Sequence, residues 1–179
     1  IMPKRSYFVD ILVAWSKDKN QLRAATQSEK VLMRLLELSR SGYPDLMPDA
    51  KCFEKVMQAW SKTRSREAAK NVESLILLMD KTFQVSRNEI VKPNGRIMDL
   101  ALLAWSRSNQ QEAPDRAEAL MHEMERRYSD GDETMRPSRG SYTTLMLTWQ
   151  RGRRDDAHVR VQQIFDKLIS KCNEGHSHL

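Results

Sequence analysis

Four cations recur in one register: Lys17, Lys62, Arg107 and Arg151 stand 45, 45 and 44 residues apart, each two residues after one of the four tryptophans, Trp15, Trp60, Trp105 and Trp149. Side chains of this type do no covalent chemistry alone. Held at a fixed interval, they can grip a polyanion, because a phosphate backbone presents charge at regular steps and releases counterions on contact. Further bases lie close by in the sequence: Lys4, Arg5, Lys51, Lys55, Arg96, Arg139, Arg153 and Arg154. The net charge of +6 and an isoelectric point near 9.4 favour an acidic partner.

Other chemistry finds little footing. There is no glycine-rich phosphate loop, no serine or cysteine set with histidine and acid in a recognisable motif, and no HExxH pair, so catalysis is not expected and neither is a small-molecule substrate. Two cysteines, Cys52 and Cys172, lie in different parts of the chain without paired ligand spacing, which argues against a disulfide framework or a zinc site. His176 and His178 near Cys172 sit in a tail without the scaffold that a closed metal site needs. His122 and His158 are isolated and read as surface residues. No cofactor and no metal are expected. No apolar stretch approaches the roughly 20 residues that span a bilayer.

The elements that must position the cations are written in the same period. Pro3, Pro48, Pro93 and Pro137 each precede a tryptophan by twelve residues. Between them run helix-spaced apolar stripes: Phe8, Ile11, Leu12, Trp15; Phe53, Val56, Met57, Trp60; Met98, Ala101, Leu102, Trp105; Tyr142, Leu145, Met146, Trp149. A second stripe follows in each case: Ser28, Val31, Leu32, Leu35; Val72, Leu75, Ile76, Met79; Ala117, Leu120, Met121, Met124; Val161, Ile164, Phe165, Leu168. Each unit is therefore a helix pair, with the proline at the start of its first helix. The intervals SKDKNQLRAATQ, SKTRSREAA and SRSNQQEAPD are expected to join the two helices, with Pro114 at a helix N-terminus. SGYPDLMP, SRNEIVKP and SDGDETMRP read as rim connections. The tryptophans complete the stripes and are expected in the core.

The fold class is all-α: one repeat domain over 1–179, with repeats at about 3–47, 48–92, 93–136 and 137–179, and the chain reads as a segment of something longer. A period of about 45 residues is the mark of an α-solenoid, in which stacking supplies the core that no unit can build alone.

The run from proline through an aromatic to AWSK (Pro3, Phe8, Ala14 to Lys17), repeated from Pro48 to Lys62 and as AWSR at Ala104 to Arg107, resembles pentatricopeptide repeat proteins. So does AEALMHEME at Ala117 to Glu125. The longer, tryptophan-bearing units resemble those of some algal and protist organelle proteins. The resemblance implies a right-handed superhelix whose concave surface, built from the first helices, holds single-stranded RNA at roughly one base per repeat.

It also implies partners such as ribosomal RNA and other proteins of a ribonucleoprotein complex, and a place in a mitochondrion or plastid. The positions that would face bases are Val9 with Asp49, Glu54 with Asn94, Asp99 with Ser138, and Thr143. The family uses Asn, Ser or Thr at the first position of each pair. Here valine offers no hydrogen bond, and the carboxylates at Glu54 and Asp99 repel phosphate and accept only from amines. The expected mode is therefore contact through the RNA backbone, carried by Lys17, Lys62, Arg107 and Arg151. The alternative is a protein-interaction scaffold of tetratricopeptide type. Leu12, Met57, Leu102 and Met146 stand where such units carry a small residue, which disfavours it.

Overall fold

The computed structural model describes residues 4–63 and 65–174. Among these residues every regular element is helical: α1 Arg5–Trp15, α2 Gln21–Arg40, α3 Ala50–Lys62, α4 Arg66–Ser86, α5 Gly95–Ser108, α6 Ala113–Ser129, α7 Arg139–Arg151 and α8 Ala157–Glu174. They fall into two compact units, Ile1–Pro93 and Asn94–Leu179. In the first unit α2 packs on both α1 and α3, and α4 packs on α3. In the second, α6 packs on both α5 and α7, and α8 on α7. The first helices also touch their neighbours, α1 against α3 and α5 against α7.

The apolar stripes are the reason. Phe53, Val56, Met57 and Trp60 of α3 are all buried, as are Met98, Ala101, Leu102 and Trp105 of α5. Leu32 and Leu35 of α2, the Val72, Leu75, Ile76, Met79 stripe of α4, and Met121 and Met124 of α6 are buried against them. Trp60, Trp105 and Trp149 are core side chains, while Trp15 is half-buried. Trp60 donates from Nε1 to the Glu29 carboxylate of α2 at 2.7 Å. Glu118 of α6 holds the same register against Trp149, but it accepts from Arg160 at 2.9 Å instead. Trp149 Nε1 is buried with no partner among the described residues, and the guanidinium groups of Arg154 and Arg160 stack on its ring at 4.8 and 5.6 Å.

Three sequence expectations are corrected in detail. Pro48, Pro93 and Pro137 lie outside the helices, each directly before the residue that caps the helix; Pro3 lies outside the described residues. Each capping residue has extended backbone angles, so the proline closes the preceding connection and the following side chain starts the helix. Second, the helices reach into the supposed joining intervals. α2 begins at Gln21 with Asn20 accepting from the Arg23 N–H at 3.0 Å, and α4 begins at Arg66 with Ser65 accepting from the Glu67 N–H. Small buried residues, Ala24 and Ala25 in one and Ala68 and Ala69 in the other, let these first turns pack closely. α6 begins at Ala113, so Pro114 occupies its first turn as expected.

Third, the rim connections are ordered by single 3₁₀ turns, Pro44–Leu46, Glu89–Val91 and Glu133–Met135, each inserting one buried side chain: Leu46, Val91 and Met135. Just after α2, α4 and α6 the backbone turns left-handed in the same register, at Gly42 (φ +105°), Arg87 (φ +52°) and Gly131 (φ +96°). Only Arg87 carries a Cβ there, and that conformation disfavours L side chains by roughly 1 kcal/mol. Arg87→Gly should therefore raise the unfolding free energy of the first unit by about 0.5–1 kcal/mol in a urea titration. A loss of stability would show that the arginine side chain does more than occupy a turn.

In the second unit Glu125 of α6 ties three elements together. It accepts from the Tyr142 hydroxyl at 2.8 Å and from Lys167 at 2.6 Å, with Lys171 at 3.5 Å. Burial pushes its carboxyl pKa up, but the Lys167 and Tyr142 hydrogen bonds outweigh that, and the net shift is below the ordinary value of 4.5. A carboxylate with a depressed folded-state pKa stabilises the fold above its unfolded value and loses that contribution as the pH falls through the folded value. Acidification below about pH 4.5 should thus weaken the native chain more than a Glu125→Gln variant, measured as the change in thermal midpoint. Equal acid sensitivity would contradict the assignment.

Candidate nucleic-acid interface

The four cations stand at one kind of place, the C-terminal end of a first helix. Lys62 and Arg151 are the last residues of α3 and α7, Arg107 is next to last in α5, and Lys17 follows the C-cap Ser16 of α1. All four residues are solvent-exposed. The position has a structural value of its own. Unsatisfied carbonyls give a helix C-terminus partial negative charge, and a cation there contributes about 0.3–1 kcal/mol.

Arg151 makes that contribution visible, since its Nη1 donates to the Ser106 carbonyl at 3.0 Å and to Ser106 Oγ at 3.1 Å, closing the end of the neighbouring α5. At the other end of the same pair, Ser141 of α7 donates from Oγ to the Asp99 carboxylate of α5 at 2.5 Å. These two links, one near each end, show α5 and α7 running parallel. Arg151 therefore comes to rest beside the residue that precedes Arg107. In the first unit α1 and α3 meet at their N-terminal ends, where Arg5 donates to the Met47 carbonyl at 3.2 Å and lies 3.9 Å from the Asp49 carboxylate.

The residues expected to face bases are mostly committed to the helices themselves. Asp49 accepts from the Cys52 N–H at 3.0 Å and Asn94 from the Ile97 N–H at 3.2 Å. Ser138 and Ser141 form a reciprocal capping box. These three are N-caps, and the sequence signal was present: Asp, Asn and Ser directly before an apolar helix stripe are the favoured capping types. Glu54 is half-buried and accepts from Gln58 at 2.8 Å. Exposed Thr143 donates to the Arg139 carbonyl one turn back at 3.0 Å, and Val9 is half-buried.

Asp99 and Ser138, read as one base-flanking pair, are brought together by Ser141, but their oxygens serve the N-terminus of α7. Burial raises the Asp99 carboxyl pKa, opposed by its bonds to Ser141 and Ser138. Of the additional bases, Lys4, Lys51, Arg96, Arg139 and Arg153 are exposed and Lys55 is half-buried. Arg154 is engaged with Asp115 at 2.8 Å and with the Trp149 ring.

Among the described residues no group of His, Cys, Asp and Glu is placed to hold a metal ion. His122 and His158 are exposed. The Cys172 side chain, His176 and His178 lie outside the described part. Burial, reinforced by Asp49, pushes the Cys52 thiol up to about 12, so it stays protonated and unreactive. No helix among the described residues is long and apolar enough to cross a membrane. Comparison with protein-family models, with characterised proteins and with solved structures returns no match.

Proposed function

We propose that the chain is an α-solenoid of four helical repeats of pentatricopeptide type that binds single-stranded or ribosomal RNA through its phosphate backbone, as a non-catalytic part of mitochondrial or plastid RNA metabolism or of an organellar ribosome. One observation carries this reading: a cation in the same register of every period, exposed at the C-terminal end of a first helix, in a chain of net charge +6. The occupied oxygens of Asp49, Asn94, Asp99 and Ser138 support the second half of it. Side chains already bonded to helix termini are poor readers of base edges, so affinity rests on charge and choice of sequence is weak.

Filter binding to poly(U), poly(A) and poly(C) at two salt concentrations tests it. Affinities within about tenfold of one another, all falling steeply with salt, are expected. A preference above about 100-fold for one polymer would indicate a base code. No retention at low salt would favour the scaffold reading, in which the same faces take a protein partner.

A further inference from the structure

The two units carry one constellation with different outcomes. Glu29, Trp60 and Asn71 of the first unit recur at a constant offset as Glu118, Trp149 and Arg160 in the second. In the first, the Glu29 carboxylate of α2 accepts from Trp60 Nε1 at 2.7 Å. In the second, the Glu118 carboxylate accepts from Arg160 Nη2 at 2.9 Å, which ties α8 to α6, and the buried Trp149 Nε1 is left without a partner among the described residues. One residue type separates the two cases. Arginine stands in the second unit where the first has asparagine, which carries no charge to draw a carboxylate off the indole. The balance is closer than the bonds suggest. The Arg160 and Glu118 side chains are 42% and 17% exposed, and an ion pair open to water contributes little, whereas a buried donor without an acceptor costs its full desolvation.

We infer that Glu118 has two positions, one on the Arg160 guanidinium and one on the Trp149 indole, and that competition for Arg160 decides which it takes. The travel between them is short, because the Arg160 guanidinium lies over the Trp149 ring at 5.6 Å. Glu29 shows that a glutamate in this register reaches the indole of the first helix that follows. With Glu118 on the indole, the buried N–H gains its acceptor. Arg160 keeps its bond from Nη1 to Gln163 at 2.9 Å and turns the released nitrogen to water, to which its side chain is already open. α8 stays joined to α6 through Lys167 and Glu125 at 2.6 Å, so the change is confined to one link. An anion that draws Arg160 away therefore leaves no bare carboxylate behind, and the pair works as a conformational device that opens when anions compete. This inference stands independently of RNA binding.

The indole N–H resonances of the nitrogen-15-labelled native chain, assigned through the backbone, test it, with Trp60 as the internal example of an indole bonded to a carboxylate. Side-chain exchange is fast, so one population-weighted resonance reports both positions. Raising sodium chloride from about 20 to about 500 mM screens Arg160 and supplies a competing anion. The Trp149 resonance should shift downfield toward that of Trp60, which should stay in place. Arg160→Asn introduces the residue type of the first unit and should hold the Trp149 resonance downfield at both salt concentrations. Glu118→Ala removes the acceptor and should hold it upfield at both. The backbone spectra of the two variants should stay native, since the Glu125 cluster still joins α6, α7 and α8. A Trp149 resonance that ignores salt, one that Arg160→Asn leaves upfield, or a salt-driven shift that persists in Glu118→Ala would overturn the inference.

Discussion

Trp105→Ala should destabilise the second unit by about 3–5 kcal/mol, the range for removing a large aromatic from a packed interior. The side chain is 1% exposed, on a helix that packs against both α6 and α7, and the Arg116 guanidinium stacks on its ring at 5.8 Å. Its neighbours are helices held by caps and by the Glu125 cluster, so they cannot collapse freely into the space, and the cavity adds to the forfeited burial. The half-buried Trp15 supplies the control, since Trp15→Ala removes less buried surface and should cost clearly less. Urea midpoints of the two variants measure the difference. Equal losses would mean that the tryptophan register is not a core register.

The second large effect concerns binding. Replacing Lys17, Lys62, Arg107 and Arg151 together by Ala should lower affinity for single-stranded RNA by at least about tenfold at low salt, because each neutralised phosphate contributes through counterion release. Part of any change at Arg151 is structural. Its bonds to Ser106 close the end of α5, so Arg151→Ala alone should lose about 1 kcal/mol of stability. Lys17 and Lys62 are exposed at helix ends, and their substitution should cost a few tenths of a kcal/mol each. Arg151→Lys keeps the charge while removing the guanidinium nitrogen that binds Ser106, which separates the two contributions.

The core was legible most fully in the first-helix stripes of α3 and α5. Phe53 to Trp60 and Met98 to Trp105 read as buried and are buried, because four apolar residues at helical spacing leave one orientation that removes them all from water. The stripe at Phe8 and Ile11 obeys the same pattern, yet Ile11 is exposed, since periodicity says which face is apolar and not whether anything covers it. Leu46, Val91 and Met135 were missed because a single apolar residue in a polar connection has no period to announce it.

The candidate site was legible as a register of charge, which needs only counting. Its partners were not. The bond from Arg151 to Ser106 and the one from Ser141 to Asp99 join residues 45 and 42 positions apart, and only the parallel packing of α5 on α7 creates them. The capping roles of Asp49, Asn94 and Ser138 are a different case, being local and open to reading from residue type alone.

The salt dependence of binding to single-stranded RNA, compared between the native chain and the Lys17, Lys62, Arg107, Arg151 quadruple alanine variant, reaches the central claim most directly. The expected result is a linear fall of log affinity with log salt for the native chain, with the slope flattened in the variant by up to about 0.7 for each phosphate no longer neutralised. An unchanged slope, in a variant that circular dichroism shows to be folded, would contradict the assignment of these cations to an RNA backbone.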